Sequence, residues 1–106
     1  MADDAALQEE WQKAGEAWGA RATDWAYLAE SLGRRAYEAV LMAMSVGEET
    51  RLLDIACGAG LAASMAAARR ADVAGLDASV ALLRIARERV PAGDFRCGDM
   101  TALPWA

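Results

Sequence analysis

Three carboxylates and a pair of glycines mark the second half of the chain. Asp54 precedes Gly58-Ala59-Gly60, Asp77 follows that loop, and Asp99 closes a third segment. The glycines let the chain turn tightly and let backbone amides approach a ligand closely. A carboxylate such as Asp77 can accept two hydrogen bonds from a vicinal diol, as a ribose presents. Gly58 to Ala63 fits the G-x-G-x-x-G/A dinucleotide fingerprint, and Asp77 lies near its roughly 20-residue spacing. The charges nearby argue for a different ligand. The loop holds no Lys, Arg, Ser or Thr to grip a pyrophosphate. Asp54, Asp77 and Asp99 around one cleft suit a cation carrying ribose hydroxyls and an adenine amine better than a doubly anionic group. Cys57 reads as a small buried thiol, with nothing nearby to make it a nucleophile.

The elements that must position these residues follow from pattern. Leu52 to Ala56 is a short apolar run meeting the glycine turn. Leu61 to Arg70 is alanine-rich and helical, with Arg69 and Arg70 at the negative dipole end. Asp72 to Asp77 forms a second strand. Ser79 caps a helix running to Val90, and Pro91 stops it. Asp94 to Asp99 forms a third strand. Strand, helix, strand, helix, strand means an α/β, Rossmann-like parallel sheet with right-handed crossovers. Ligands of such sheets bind outside the carboxyl ends of the strands, where the carboxylates and glycines fall.

Residues 1–50 read as helix, preceding a sheet unit at 51–106. Asp3 and Asp4 offer a first cap. Trp11, Trp18 and Trp25 recur one heptad apart and so share a helical face, with about 20° of drift. Gly15 and Gly19 weaken that helix, and Thr23-Asp24 offers a fresh N-cap, which predicts two short helices. The tryptophan stripe either packs on a core or forms a lid over a ligand site. The segment is taken as a helical lid. A further helix from about Ser31 to Val46 places Tyr37, Val40, Leu41 and Met44 on one apolar face, with Gly47 as its stop.

The 106 residues are 56% hydrophobic, with 11 basic and 16 acidic side chains and a net charge of −5. This suits one domain, and disfavours binding to a phosphate backbone. Two cysteines and no histidine allow neither a disulfide framework nor a complete zinc site. The composition is that of a reducing, cytoplasmic compartment. The acidic start, Met1-Ala2-Asp3-Asp4, is unlike a signal peptide, and the uncharged stretch from Ile55 to Ala68 is too short to span a membrane.

Leu52-Leu53-Asp54-Ile55-Ala56-Cys57-Gly58-Ala59-Gly60 closely resembles the first motif of class I S-adenosylmethionine-dependent methyltransferases. Val73 to Ser79 resembles their second motif, and Phe95 to Met100 with Ala102-Leu103-Pro104 resembles their third. The Trp-rich start is similar to the leading helices of the small-molecule members. The resemblance implies S-adenosylmethionine as cofactor and a small-molecule acceptor. Among the residues matching these motifs, it places Asp54 near the methionine ammonium and Ala56, Gly58 and Gly60 along the methionine moiety. It places Asp77 on the ribose hydroxyls with Ala78 beside it, and Asp99 and Met100 at the adenine. Ala56 stands where the family often has glycine, which tightens the site slightly. No residue is singled out as a catalytic base.

The family's sheet has seven strands, of which three are present here. One edge of the first strand is therefore expected to lack an intrachain partner. Either the chain is a truncated piece of a larger enzyme, inactive by itself, or it assembles as a homodimer through that edge or by exchange of the tryptophan helix. Two other readings remain beside the methyltransferase. One is a non-catalytic dimerising half-domain that binds the nucleoside weakly. The other, disfavoured by Asp54 and the third motif, is an NAD(P)-binding oxidoreductase fragment.

Overall fold

The computed structural model of the chain describes residues 8–105. The expected cap at Asp3 and Asp4 lies outside the described residues. Helix α1 spans Glu10–Gly19, opened by Glu9, whose backbone N–H donates to Gln12 Oε1 at 2.9 Å. A short helix α2, Ala22–Asp24, runs on without a cap into a π-helical turn, Trp25–Ala29, and a 3-10 turn, Glu30–Gly33. Helix α3 follows over Arg34–Ala43. Strand β1 (Arg51–Ile55), helix α4 (Leu61–Ala68), strand β2 (Asp72–Asp77), helix α5 (Val80–Arg89) and strand β3 (Asp94–Cys97) complete the order.

The three strands are parallel in the order β1-β2-β3, with Leu53 opposite Ala74 and Gly75 opposite Phe95. This is the Rossmann-like unit the alternation predicts. Ser79 caps α5 as expected, its hydroxyl accepting from the Leu82 N–H at 3.1 Å. Successive strand residues face opposite sides of a sheet. On one side Val73 and Phe95, with Leu52 partly buried, meet Ala63 and Ala66 of α4 and Leu83 and Ala86 of α5 in the main core. Leu41 and Val46 join it from the N-terminal segment. A second cluster joins Ala22 and Ala26 to Ala59 and Leu82. Both clusters cross residue 50, so the helical segment and the sheet unit share their interior.

Three expectations change. The break between the first helices falls at Ala20–Arg21, so Thr23 and Asp24 lie inside α2 and neither side chain caps a helix. Gly15 and Gly19 are places of close packing: a Cβ on Gly15 would stand 2.0 Å from the Ala78 carbonyl oxygen, and one on Gly19 would stand 2.7 Å from Ser79 Oγ. Any larger residue at Gly15 would push α1 off the turn after β2. Finally, α3 stops at Ala43, and Ser45, not Gly47, takes the left-handed conformation. Of its expected apolar face only Leu41 is buried. Tyr37 is half-buried, while Val40 and Met44 are exposed.

Candidate ligand site at the strand ends

Backbone geometry fixes the loop after β1. Ala56 and Gly58 have φ of 62° and 56°, and Gly60 has φ of 85°. The left-handed region is easy for glycine and costs other L-residues roughly 1–2 kcal/mol. Ala56 therefore carries strain, a sharper consequence of its substitution for glycine than a tightened site. Asp77 holds the loop from the side. Its Oδ2 accepts from the Gly58 N–H at 2.8 Å, and its Oδ1 accepts from the Ser79 N–H at 2.9 Å. An ionised carboxylate offers about four acceptor positions, so two remain free toward the cavity. Asp99 accepts from the Thr101 N–H at 3.0 Å, the bond of an Asx turn.

A cavity of about 470 Å³ opens at these strand ends, in the size range of small-molecule sites. Its floor includes Ala56, Gly58, Asp77, Ala78, Asp99 and Met100, and its roof is Trp11, Trp18 and Trp25. The structure thus gathers six of the eight expected site residues, with the tryptophan stripe facing them. Trp18 and Trp25 meet edge to face, their ring centres 5.9 Å apart. Among the described residues no lysine or arginine lines the cavity, so the wall is acidic and aromatic.

Two expected residues are not on that wall. Gly60 is buried against α5, where a Cβ would stand 2.9 Å from the Ala86 Cβ. Its glycine serves the turn and this close approach. Asp54 is half-buried outside the cavity lining. Burial first, then the Asp77 and Glu30 carboxylates, raises its pKa above the ordinary value. The cleft is therefore lined by two of the three aspartates, with Asp54 adding its field from outside the wall. Burial first, then the Asp54, Asp77 and Glu30 carboxylates, push the Cys57 thiol up to about 12, which keeps it protonated and unreactive at neutral pH.

Sequence reasoning missed Glu30 and Arg89. Glu30 is 5% exposed, the one buried acid among the described residues. Its Oε2 accepts from the Leu61 N–H at 3.3 Å, and its Oε1 pairs with the Arg89 guanidinium. Arg89 also donates to the Ala59 carbonyl at 3.0 Å and the Ala26 carbonyl at 3.1 Å. The available signal was a lone acid within the apolar run Trp25 to Leu32.

The other side of the sheet is different. Leu53 and Ile55 of β1 are 41% and 43% exposed, and β1 has no partner on its outer edge among the described residues. On β3, Trp105 donates from Nε1 to Asp94 Oδ2 at 3.0 Å and lies under the Arg96 guanidinium, 4.7 Å from ring centre. Among the described residues no helix is long and apolar enough to cross a membrane, and no trio of metal-ligating side chains is grouped.

Residues 52–106 match the profile of a family described as a methyltransferase domain. A demethylmenaquinone methyltransferase of Renibacterium salmoninarum is 43% identical over 56 residues, covering 53% of this chain and 24% of that protein. Among solved structures, the [4+2]-cyclase SpnF superposes with a TM-score of 0.58 at 28% identity, over 67% of this chain and 29% of the cyclase. A methyltransferase from Thiobacillus denitrificans, solved with S-adenosylhomocysteine, superposes at 0.54 with 21% identity over 59% of this chain and 28% of that one. The chain spans about a quarter of the length of most of the curated relatives it matches.

Proposed function

The chain belongs to the class I methyltransferase-domain family, and from that premise we propose that it binds S-adenosylmethionine in the strand-end cavity as the cofactor-binding part of a methyltransferase. The observation that carries this reading is the joint placement of Gly58, Asp77, Asp99 and Met100 under three tryptophans, in a cavity lined by carboxylates and no cation. A pyrophosphate would meet two carboxylates and no lysine or arginine among the described residues there. The free lone pairs of Asp77 suit a ribose diol, and Asp99 with the backbone near Met100 suits an adenine edge. Asp54 supplies negative potential from outside the wall toward an ammonium.

The cofactor, when bound, supplies an electrophilic methyl group on a sulfonium. The chain's own residues position it and exclude water, which is most of what such a transfer asks of a protein. The tryptophan roof over the acidic floor does both, and in this reading the part of the N-terminal segment that carries Trp11, Trp18 and Trp25 is the lid. The acceptor is a small molecule, and these residues alone bind cofactor without turnover. The short coverage of the relatives supports that. The cyclase among the structural relatives shows that the fold by itself does not fix the reaction. The compartment is cytoplasmic, in keeping with two free cysteines.

Assembly belongs to the same reading. The open edge of β1, with Leu53 and Ile55 exposed beside it, favours a homodimer that pairs first strands about a two-fold axis. Light scattering should report a species above the 11.2 kDa monomer at micromolar concentration. A folded monomer there contradicts the dimer and leaves the cofactor reading standing.

Quenching of tryptophan emission tests the ligand class. S-adenosylhomocysteine should saturate the quench at least about tenfold more tightly than NAD, a gap of about 1.4 kcal/mol. Equal affinities, or a preference for NAD, would restore the oxidoreductase reading.

A further inference from the structure

We propose that the Glu30–Arg89 pair is a latch that ties the Trp25 turn of the roof to the glycine loop, so that this turn cannot lift without deforming the loop. Five contacts converge on two side chains, one of them the Arg89 guanidinium over the Tyr27 ring, 5.6 Å from its centre. Arg89, on the last turn of α5, donates to the Ala26 carbonyl at 3.1 Å on the roof side and to the Ala59 carbonyl at 3.0 Å in the loop. The same guanidinium pairs with Glu30. Glu30, placed directly after the π-helical turn that carries Trp25, accepts from the Leu61 N–H at 3.3 Å where the loop enters α4. A Cβ built on Gly58 would lie 3.6 Å from Trp25 Nε1 and 4.0 Å from Glu30 Oε2. The carboxylate and the roof indole therefore approach the loop at one residue.

A general stabilising role is the plainer explanation, and the geometry argues against it. A buried ion pair contributes little net stability over apolar residues of the same size. Here the pair spans three separate segments, and three of its five contacts end on backbone groups of the roof or the loop. The planar fork of arginine is needed to reach two carbonyls and a carboxylate at once, which a lysine ammonium on a flexible stem does not reproduce. Glu30 and Arg89 are in this view positioning residues. The latch itself stands on the contacts above, and only its effect on affinity rests on the cofactor reading.

The test is native-state amide exchange on the full chain, comparing the parent with Glu30→Gln and Arg89→Lys. The latch predicts that the Glu30 amide of the roof and the Gly60 and Leu61 amides of the loop accelerate together, by roughly 100-fold in Glu30→Gln. The Leu83 amide of the core should move less than about threefold. Arg89→Lys keeps the charge and should give the same pattern at smaller amplitude. Acceleration confined to Leu61 overturns the latch, since only the lost bond is then felt. Uniform acceleration, or loss of the fold in both variants, also overturns it, since the pair is then a general stability element. A parallel titration should show S-adenosylhomocysteine affinity falling about tenfold in Arg89→Lys and adenosine affinity less than twofold. If the parent chain binds neither ligand, the cofactor reading fails, and the exchange pattern still decides the latch.

Discussion

The floor and the roof of the strand-end cavity are built in opposite ways. Every floor contact is local or nearly so. Gly58 and Ser79 donate to Asp77 at 2.8 and 2.9 Å, Thr101 donates to Asp99 at 3.0 Å, and the loop angles are set by Ala56, Gly58 and Gly60. The roof has no such ladder. It rests on Gly15 against Ala78, on small residues around Ala22, Ala26 and Ala59, and on the Glu30–Arg89 pair. Trp18 itself is 62% exposed. A floor held by amide-to-carboxylate hydrogen bonds is stiff in the absence of ligand, whereas in the roof α1, with Trp11 and Trp18, rests on packing and can move as a body while the Trp25 turn stays tied to the loop.

Gly15→Val should break this contrast hardest. With the Ala78 carbonyl 2.0 Å from the new Cβ, the helix must shift, at a cost of about 2–3 kcal/mol in stability by chemical denaturation. The floor should survive, so the amides of β2 and α5 should keep most of their protection while those of α1 lose it. Asp77→Ala attacks the other half. It removes the charged acceptor and frees the Gly58 and Ser79 amides, and should weaken S-adenosylhomocysteine by about 2 kcal/mol in calorimetry. Unchanged affinity in a folded variant would remove Asp77 from the site.

Asp54→Asn separates stability from binding. Burial and two neighbouring acids raise the pKa of Asp54, so the folded state holds its proton more tightly than the unfolded chain does. Stability must then fall as pH rises from the ordinary carboxylate range through the folded value, and regain as pH drops. The asparagine variant should lose that slope and melt higher than the parent at pH 7. It should cost S-adenosylhomocysteine about 1 kcal/mol more than adenosine, which lacks the amino-acid end. Equal losses for the two ligands would confine Asp54 to holding the loop. The smallest effect is expected of Ala56→Gly. It relieves a left-handed residue at φ 62°, offset by the greater freedom of glycine in the unfolded chain, for a gain of about 0.5 kcal/mol. A loss would mean that the alanine methyl packs productively against the cavity.

The same contrast explains what could be read from sequence. The floor was legible because its contacts sit at the carboxyl ends of neighbouring strands, Gly58 after β1 meeting Asp77 at the end of β2, where apolar runs, glycines and caps fix both position and direction. Asp77, Gly58 and Asp99 fall where the pattern put them. Gly60 lies off the cavity lining because its position answers to α5, where Ala86 approaches, which local pattern does not reveal. The roof was legible only as a stripe. Periodicity put Trp11, Trp18 and Trp25 on one face without saying what that face meets. The π-helical turn at Trp25–Ala29 then alters the helical phase, so no heptad argument could aim Glu30 at Arg89, 59 residues away. For Val40 of α3 and Met44 just beyond it, periodicity identified an apolar face, but burial needs a partner surface and the described residues leave both exposed.

The central claim is that one cavity, roofed by three tryptophans and floored by the strand ends, holds the cofactor. Nitrogen-15 spectra recorded while titrating S-adenosylhomocysteine test it directly, because the fourth tryptophan is an internal control. Trp105 lies on β3 against Asp94 and Arg96, outside the cavity lining. The indole signals of Trp11, Trp18 and Trp25 and the amides of Gly58 and Ala78 should shift along one saturating curve while the Trp105 indole stays in place. Shifts at Trp105 with the other three unmoved, or no shifts at millimolar ligand, would contradict the account.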